Sequence, residues 1–191
     1  VTIDADGMGA VWKCHNCFWS GNVNVQTGGR RDLMPMRREP TKPVHVPSPR
    51  GADVDGWFAS RGIPREVLDR NRIGYEMAWM PGCESGQTVP AITFPFMREG
   101  VVVNVKYRSY DKMFRQVKGA EKVFFGLDDI VDQETVIIVE GEIDKMSIEV
   151  AGFTNCVSVP DGAPKQVRDR PQHENDDIKF SYVWNCRDHF E

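Results

Sequence analysis

The sequence has no long hydrophobic run and few cysteines. No apolar stretch approaches the roughly 20 residues that a helix needs to cross a bilayer, so we expect no membrane among its partners. Five cysteines in 191 residues are odd in number and thinly spread, whereas disulfide-rich secreted domains carry dense, even sets. The cysteine content therefore favours a reducing compartment.

Net charge is also small, at −4, which argues against a general nucleic-acid coat protein. The charges are nevertheless unevenly placed. Residues 98–122 carry seven Lys and Arg against three Asp and Glu, whereas residues 123–191 carry six against fifteen. We therefore expect polyanions to bind the first stretch and divalent cations the second.

The chain divides into four parts by composition. Residues 1–36 hold aromatic-rich, alternating stretches and Gly/Asn turns, which predict a small β module around CHNC. Residues 37–50 contain four prolines, which predict an extended or disordered connector. Residues 51–133 predict two short helices and then strands, and residues 134–191 predict a parallel strand, helix, strand unit. The predicted fold class is α/β: an α+β part and an incomplete Rossmann-like βαβ unit, preceded by a partial β module.

Several elements can be placed within these parts. TVPAITFPFM and GVVVNVKYRSY read as strands joined by a turn at Arg98, Glu99 and Gly100, and EKVFFGLDDI reads as a loop or short strand. TVIIVE is typical of a buried strand. The helix after it is expected to place Ile143, Met146 and Val150 on one face.

Three carboxylates follow the TVIIV strand. Glu140 stands at the strand tip, Gly141 allows a sharp turn, and Asp144 lies about one helical turn further on. Sites in α/β sheets gather at the carboxyl ends of parallel strands, and clustered carboxylates suit Mg²⁺ or Mn²⁺. Glu142 either joins this cluster or merely complements the dipole of the helix.

Cations and aromatic residues alternate in VKYRSYDKMFRQVKG. A basic strand with interleaved aromatics can hold phosphates and stack bases, although such cations often form only the solvated face of a strand. The cations are Lys106, Arg108, Lys112 and Arg115, and the aromatics are Tyr107, Tyr110 and Phe114.

Cys14 and Cys17 form a CxxC knuckle flanked by aromatic residues. Two thiolates at this spacing are half of a Zn²⁺ site, which needs four ligands. A redox role is the alternative, but no thioredoxin-like pattern surrounds the pair. His15 is a further conceivable ligand, although its position between the two cysteines favours an outward side chain.

A family resemblance emerges from these stretches. VIIVEGEIDKMSIEVAG followed by NCVSVPDGAP resembles the first half of a TOPRIM domain. The preceding GWFASRGIPREVLDRNRIG, VVVNVKYRSYDKMFRQVKG and KVFFGLDDI are similar to the RNA-polymerase domain of the bacteriophage primase-helicase and of its organellar relative Twinkle, as found in plants. The resemblance implies a partial zinc ribbon at 1–36, a linker at 37–50, a polymerase amino-terminal subdomain at 51–133 and an incomplete TOPRIM domain at 134–191.

The same resemblance implies roles for particular residues. It assigns Glu140 to metal binding and catalysis and Asp144 to the support of a Mg²⁺ or Mn²⁺ site. It also implies that Lys106 and Lys112, and with them Arg115, contact nucleotide phosphate or template. Cys14 and Cys17 match the second CxxC of the family's zinc ribbon, so Zn²⁺ is expected in the intact protein. The loop DGAP, residues 161–164, either lines the site or is only a turn.

The implied partners are single-stranded DNA template, ribonucleoside triphosphates and a replicative helicase or polymerase in cis or in trans. For a eukaryotic source, the resemblance implies a mitochondrion, a chloroplast or both, with a targeting segment outside this chain. For a phage source, it implies the infected bacterial cytoplasm.

The chain departs from the family pattern in its acids. Two-metal phosphoryl transfer needs more carboxylates than Glu140 and Asp144, and the family takes them from a DxD after a later strand. Asp176 and Asp177 are adjacent and precede the last apolar run, so their side chains diverge. The helicase motif GxxxxGK(S/T) is also absent from the sequence. We therefore expect a fragment or truncated paralogue of a DNA primase that is a poor catalyst alone.

Two other functions stay open. The chain could be a non-catalytic module that binds single-stranded nucleic acid or regulates a primase. Alternatively, it could be a TOPRIM nuclease, which would use the same acids but would not need the CxxC knuckle.

Overall fold

The computed structural model describes residues 40–44, 48–162 and 180–190, together with the backbone of residues 2–3, 9–13 and 20–24. These residues fall into two compact units, one near the amino terminus and one that begins at Pro40. No helix in this part of the chain has the length and apolar character needed to cross a bilayer.

The first unit is a three-stranded antiparallel sheet. Its strands are β1 (Thr2–Ile3), β2 (Gly9–Lys13) and β3 (Ser20–Asn24), in the order β1-β2-β3. The prediction of short strands in this region is confirmed. Cys14, His15 and Cys17 lie between β2 and β3, outside the described residues.

The second unit begins with two short helices, as predicted. Helix α1 (Ala52–Ala59) buries Val54 and Phe58, and α2 (Arg65–Arg70) buries Leu68. The turn between them needs a left-handed residue, which Gly62 supplies with φ at 75°. Pro64 then precedes α2, where its fixed φ costs nothing because the helix has not yet begun.

An antiparallel four-stranded sheet follows. Its strands are β4 (Gly74–Ala78), β5 (Val89–Arg98), β6 (Val101–Ser109) and β7 (Phe114–Gln116), paired in sequence order. The predicted hairpin is confirmed, and Glu99 and Gly100 turn with φ at 53° and 76°. The sequence patterns do not predict β4 and β7, which are only five and three residues long.

One face of this sheet carries the main core. Phe94 and Phe96 of β5 meet Phe125 edge to face, with ring centroids 6.1 and 5.5 Å apart, and Phe58 of α1 lies 6.5 Å from Phe94. All four rings are almost fully buried. Each buried aromatic contributes on the order of 1.5–3 kcal/mol, so this cluster fixes α1 on the sheet.

The parallel strand, helix, strand unit is also present. Strands β8 (Ile137–Val139) and β9 (Cys156–Ser158) pair in parallel, and α3 (Glu142–Val150) connects them. Phe125 exchanges two backbone hydrogen bonds of 3.0 Å with Ser158. The segment EKVFFGLDDI therefore contributes a single bridge to β9 and a short 3₁₀ turn at Leu127–Ile130 rather than a strand.

Two details of this unit were predicted wrongly. Ile138 in the supposedly buried β8 is 54% exposed, and Val150 on the supposed apolar face of α3 is 47% exposed. Strand β8 pairs with β9 alone among the described strands, so its alternate side chains face outward. Val150 lies at the last turn of α3, where Glu149 rather than Val150 turns inward.

A buried ionic cluster joins α3 to α2 and the 3₁₀ turn. The Lys145 ammonium is fully buried and donates to Asn71 Oδ1 at 2.8 Å, to Asp129 Oδ2 at 2.5 Å and to Glu149 Oε1. Arg70 also pairs with Asp129 and Glu149, at 2.7 and 2.6 Å. The lysine ammonium therefore has three acceptors, two of them carboxylates, as burial of a charge requires.

The last described residues form helix α4 (Ser181–Asn185) and a 3₁₀ turn at Arg187–His189. Tyr182 packs edge to face on Phe124, with centroids 4.9 Å apart. Cys83, Cys156 and Cys186 are unbonded thiols. Cys156 and Cys186 are fully buried, so each behaves as a small apolar side chain of the core.

Replacement of Lys145 by methionine should lower the free energy of unfolding by about 3 kcal/mol or more, because Asp129 and Glu149 lose the buried one of their two shared cations and keep only the partly exposed Arg70. Urea denaturation of both chains measures the difference. Lys118→Met, at an exposed lysine, is the matched control and should change stability little. A loss below about 1 kcal/mol for Lys145→Met would contradict the proposed energetic role of this cluster.

Burial raises the pKa of the Cys156 thiol to about 11. The thiol of the unfolded chain has the ordinary pKa of 9.0. At a pH between these two pKa values, the unfolded chain loses a proton that the folded chain keeps, so the stability of the fold decreases as the pH rises. The loss of unfolding free energy that is due to this thiol should reach about 2 kcal/mol by pH 11. In urea denaturation under reducing conditions, Cys156→Ala should therefore lose less stability between pH 9 and 11 than the parent chain does. Parallel losses in both chains would refute the assignment.

Candidate nucleotide and nucleic-acid site

The candidate site lies where β8 and β9 end. Glu140 follows β8 and is exposed, and Gly141 directly precedes α3 in an extended conformation. Pro160, Asp161 and Gly162 follow β9 at the same edge, since the two strands run in parallel. The carboxyl ends of the strands thus collect the residues that the sequence predicts there.

Two glycines leave room for the carboxylates. A Cβ on Gly162 would stand 3.4 Å from Glu140 Oε1, and one on Gly141 would stand 3.1 Å from Asp144 Oδ2. Asp144 Oδ2 also accepts a hydrogen bond of 3.1 Å from the Gly141 amide. Asp144 therefore faces back toward the strand tip rather than along the helix.

The donor set at this edge suits Mg²⁺ or Mn²⁺. Mg²⁺ in proteins is commonly held by one or two carboxylates together with substrate phosphates, and Glu140 and Asp144 are two exposed carboxylates beside open glycine backbone. Within the described ranges there is no group of three or more His, Cys, Asp or Glu side chains that could hold a metal ion. Two carboxylates of this edge would therefore supply only part of the ligands of such an ion.

Glu142 does not join the exposed carboxylates. Its side chain is buried, and its Oε1 accepts a hydrogen bond of 2.8 Å from the Lys106 ammonium of β6. Lys106 also donates to the Pro160 carbonyl at 2.9 Å. Burial raises the pKa of the Glu142 carboxyl, and the charge of Lys106 opposes this shift. One lysine therefore ties the sheet to both the start of α3 and the loop after β9.

The loop after β9 has further polar ties. Gln116 of β7 donates to the Pro160 carbonyl at 3.1 Å and to Asp161 Oδ1 at 2.7 Å. Lys122 pairs with Asp161 Oδ2 at 2.6 Å. Because Gly162 follows immediately and stands beside Glu140, these contacts fix one wall of the site. Ala163 and Pro164 of the DGAP loop lie outside the described residues.

Arg108 presents an unsatisfied donor. The residue is 8% exposed, and its buried Nη1 has no hydrogen-bond partner among the residues described. Burial, with the nearby charge of Arg61, lowers the pKa of the Arg108 guanidinium, and Glu142 partly offsets this. A buried guanidinium nitrogen without an acceptor is costly, so this group is suited to bind an anion.

Aromatic rings surround the two buried cations. The Arg108 guanidinium lies 4.7 Å from the Trp57 ring centroid and 5.8 Å from that of Phe114, and the Lys106 ammonium lies 5.4 Å from Phe114. Arg61 stacks on Trp57 at 3.5 Å. Phe114 is 46% exposed, so it combines an accessible ring with cations close to it, as sequence-tolerant stacking of bases requires.

The four predicted cations do not lie on one face of the sheet. Lys106 and Arg108 are buried, and they pair across the ladder with Phe94 and Ile92 of β5, whose side chains share their face. The alternative interpretation, that these cations form only the solvated face of a strand, is therefore wrong for these two residues.

Arg115 and Lys112 lie elsewhere. Arg115 pairs across the ladder with Tyr107 on the other face and stacks on its ring at 4.1 Å. Lys112 is exposed in the turn between β6 and β7, with φ at 62°. The structure thus brings Lys106 and Arg108 together with Glu142 at the start of α3, and it places Arg115 on the other face.

Sequence reasoning missed Trp57, Arg61 and Gln116 and left Glu142 undecided. The pattern around Trp57 and Arg61 reads as a simple helix end, since nothing local shows that α1 packs beside Arg108. The alternation along β7 could have predicted the position of Gln116, because it lies two residues from Phe114 and shares its face when β7 pairs with β6.

Comparison with known proteins adds a family context. No protein-family model matches the chain. The chain is 38% identical over 196 residues to the chloroplastic/mitochondrial Twinkle homologue of Arabidopsis thaliana, a match that covers 99% of the chain and 26% of that protein. It is 36% identical over 190 residues to the primase homologue of the same plant, a match that covers 97% of the chain and 54% of that protein. The chain thus spans about a quarter and about half of these relatives, and the predicted family resemblance is confirmed.

A solved structure supports the fold. The RNA polymerase domain of Mycobacterium tuberculosis primase DnaG, solved with double-stranded DNA, superposes with a TM-score of 0.50 at 16% identity, covering 74% of this chain and 54% of that one. At this identity the likeness concerns the fold alone. The predicted mixed α/β class is confirmed.

Proposed function

We propose that this chain, a relative of the Twinkle and primase homologues, is part of a DNA primase that makes short RNA primers on single-stranded DNA. One observation carries the proposal: an edge with two exposed carboxylates, Glu140 and Asp144, adjoins a face with two buried cations, Lys106 and Arg108. The Lys106–Glu142 contact of 2.8 Å joins the two. Template-directed primer synthesis needs both kinds of charge. The carboxylates would hold the metal ion that accompanies the triphosphate, and the cations would bind phosphate oxygens.

The cations would bind phosphate in different ways. Arg108 has a buried donor that a phosphate oxygen would satisfy, and charge-assisted hydrogen bonds strengthen in such a water-poor position. Lys106 already donates to Glu142 and Pro160, so it would add charge and hold the wall of the site. Lys112, exposed at the end of the hairpin, would contact the phosphate backbone of a template. Arg115 lies on the other face and is not part of this proposal.

Phe114 would stack on a base, because its ring is accessible and lies against β6 on the same face as Arg108. Trp57 would serve a different purpose. Its ring is half-buried and lies close to the guanidinium groups of both Arg61 and Arg108, so it would orient these arginines rather than stack on a base.

Glu140 and Asp144 would hold Mg²⁺ or Mn²⁺. Such an ion would neutralise triphosphate charge while the α-phosphate exchanges its bond to the pyrophosphate leaving group for a bond to the attacking hydroxyl. Zn²⁺ would be bound by Cys14 and Cys17 together with two further ligands.

The remaining partners follow from the same family context. Ribonucleoside triphosphates would be the substrates, and a replicative helicase or polymerase, in cis or in trans, would use the primers. A mitochondrial or chloroplast location fits the plant relatives, one of which is described as chloroplastic/mitochondrial.

A second candidate is a non-catalytic module that binds single-stranded nucleic acid. The described residues supply a full set of phosphate and stacking groups, Arg108, Lys112 and Phe114, but only two carboxylates for metal. Binding without synthesis would assign the chain to this function.

Glu140→Gln should reduce template-dependent synthesis of a diribonucleotide by about 100-fold or more, because it removes a metal-binding charge at the strand tip. Radiolabelled product formed on single-stranded DNA with Mg²⁺ measures this, at a high concentration of the chain because its synthesis alone is expected to be weak. Glu134→Gln changes another exposed carboxylate, which lies before β8 at the opposite end of the strand, and should keep the parent activity. Equal synthesis by the Glu140 variant and the parent would exclude the proposed catalytic site.

Arg108→Gln should weaken binding of a labelled oligothymidylate by about tenfold, because the charged donor of the site is lost. Fluorescence anisotropy at low salt measures the affinity. Arg187→Gln is a matched control, since Arg187 also stacks on a tryptophan, Trp184, at 4.6 Å but lies on the last 3₁₀ turn. An equal effect of both substitutions would show that Arg108 contributes only general charge.

A further inference from the structure

A second basic cleft lies away from the candidate site. It has a volume of about 380 Å³ and is formed by residues 48–50, the start and end of α2 and the residues just after it. Three arginines line it, Arg50, Arg65 and Arg72, together with one carboxylate, Asp69. In a chain with a net charge of −4, this is a local excess of positive charge.

Arg50 is the fixed cation of this cleft. Its side chain is 9% exposed, and its guanidinium donates to Asp55 Oδ1 at 2.9 Å, to the Ile73 carbonyl at 2.6 Å and to Asp69. These three partners use the nitrogens of Arg50, so its geometry is set before any ligand arrives. Asp55 and Asp69 are at the same time occupied by a cation, which reduces their repulsion of an anion.

Arg65 and Arg72 keep donors for a ligand. Arg65 is mostly exposed, and its Nε lies 3.9 and 3.6 Å from Asp55 and Asp69, beyond normal hydrogen-bond length. Arg72 reaches the Gly100 carbonyl only at the long distance of 3.5 Å from its Nη1. Two guanidinium groups therefore border the cleft with weakly engaged donors.

Arg72 also has an unusual backbone. Its φ is 53°, in the left-handed region where a glycine is the common residue after a helix. A side chain is strained in this region, because its Cβ crowds the following carbonyl oxygen. The position therefore offers a clean test, because glycine removes the guanidinium and at the same time suits the turn.

We infer that this cleft binds a phosphate group, and that the group belongs to a nucleic-acid strand. Guanidinium groups match phosphate oxygens in geometry and charge. The cleft adjoins the β5–β6 turn, at the end of β6 opposite to Ser109 and the Lys112 turn. A strand bound at the candidate site would thus have a second, separate contact. The inference rests on the proposed function only for the choice of a nucleic-acid strand as the source of the phosphate.

The double variant Arg65→Ala, Arg72→Gly tests the inference. Its affinity for a labelled oligothymidylate of about 12 nucleotides should fall by about three- to tenfold, and the salt dependence should become shallower by about 0.7 for each phosphate that the variant no longer neutralises. Anisotropy titrations of the 191-residue chain between about 50 and 200 mM salt measure both quantities. Arg187→Ala is the control for removal of an exposed arginine. Unchanged affinity and slope in the double variant would overturn the inference.

Two further experiments distinguish a nucleic-acid strand from a free phosphate compound, and failure of the cleft from failure of the proposed function. Calorimetry with ATP, without divalent metal, tests a free phosphate compound: if the double variant loses only ATP affinity, the strand is excluded as the source. Arg108→Gln tests the candidate site in parallel. If it alone weakens oligothymidylate binding, the cleft fails and the proposed function stands. If neither variant weakens binding, the proposed function fails as well.

Discussion

The buried ion pair between Lys106 and Glu142 is the interaction on which the candidate site depends. Lys106 belongs to an antiparallel sheet and Glu142 to the first turn of a helix in a parallel unit, so the pair joins two elements distant in sequence. Removing both charges from water costs several kcal/mol, which their mutual attraction and the Pro160 carbonyl must offset. The geometry is thereby restricted, because neither charge can move without losing its partner.

Helix α3 is held from a second side as well. Lys145 and Glu149 connect it to α2 and to the 3₁₀ turn through Asn71 and Asp129. Glu142 thus fixes the start of the helix and Glu149 its last turn, which leaves Glu140 and Asp144 on a supported edge. This arrangement explains how a short helix of nine residues, marginal alone, can hold Asp144 beside the tip of β8, where Glu140 lies.

The sequence predicts what local chemistry determines. Glu140 at a strand tip, the glycine turn after it and the β5–β6 hairpin all follow from residue order and periodicity. The burial of Lys106 and Arg108 does not, because a strand shows which residues share a face but not what covers that face. Arg115 was grouped with them for its charge, yet period-two alternation along β7 already separates it from Phe114 and Gln116. Glu142 and Lys145 show the same limit: each reads as a surface charge of α3, and each is buried because its counter-charge comes from a distant segment.

A double-mutant cycle on Lys106 and Glu142 tests the central claim most directly. The free energies of unfolding of the parent, Lys106→Met, Glu142→Gln and the double variant would be measured by urea denaturation. The account predicts that the losses of the two single variants add up to more than the loss of the double variant, with a coupling energy of about 1–3 kcal/mol. Additive losses, within about 0.5 kcal/mol, would show that the two charges do not hold the sheet and α3 together.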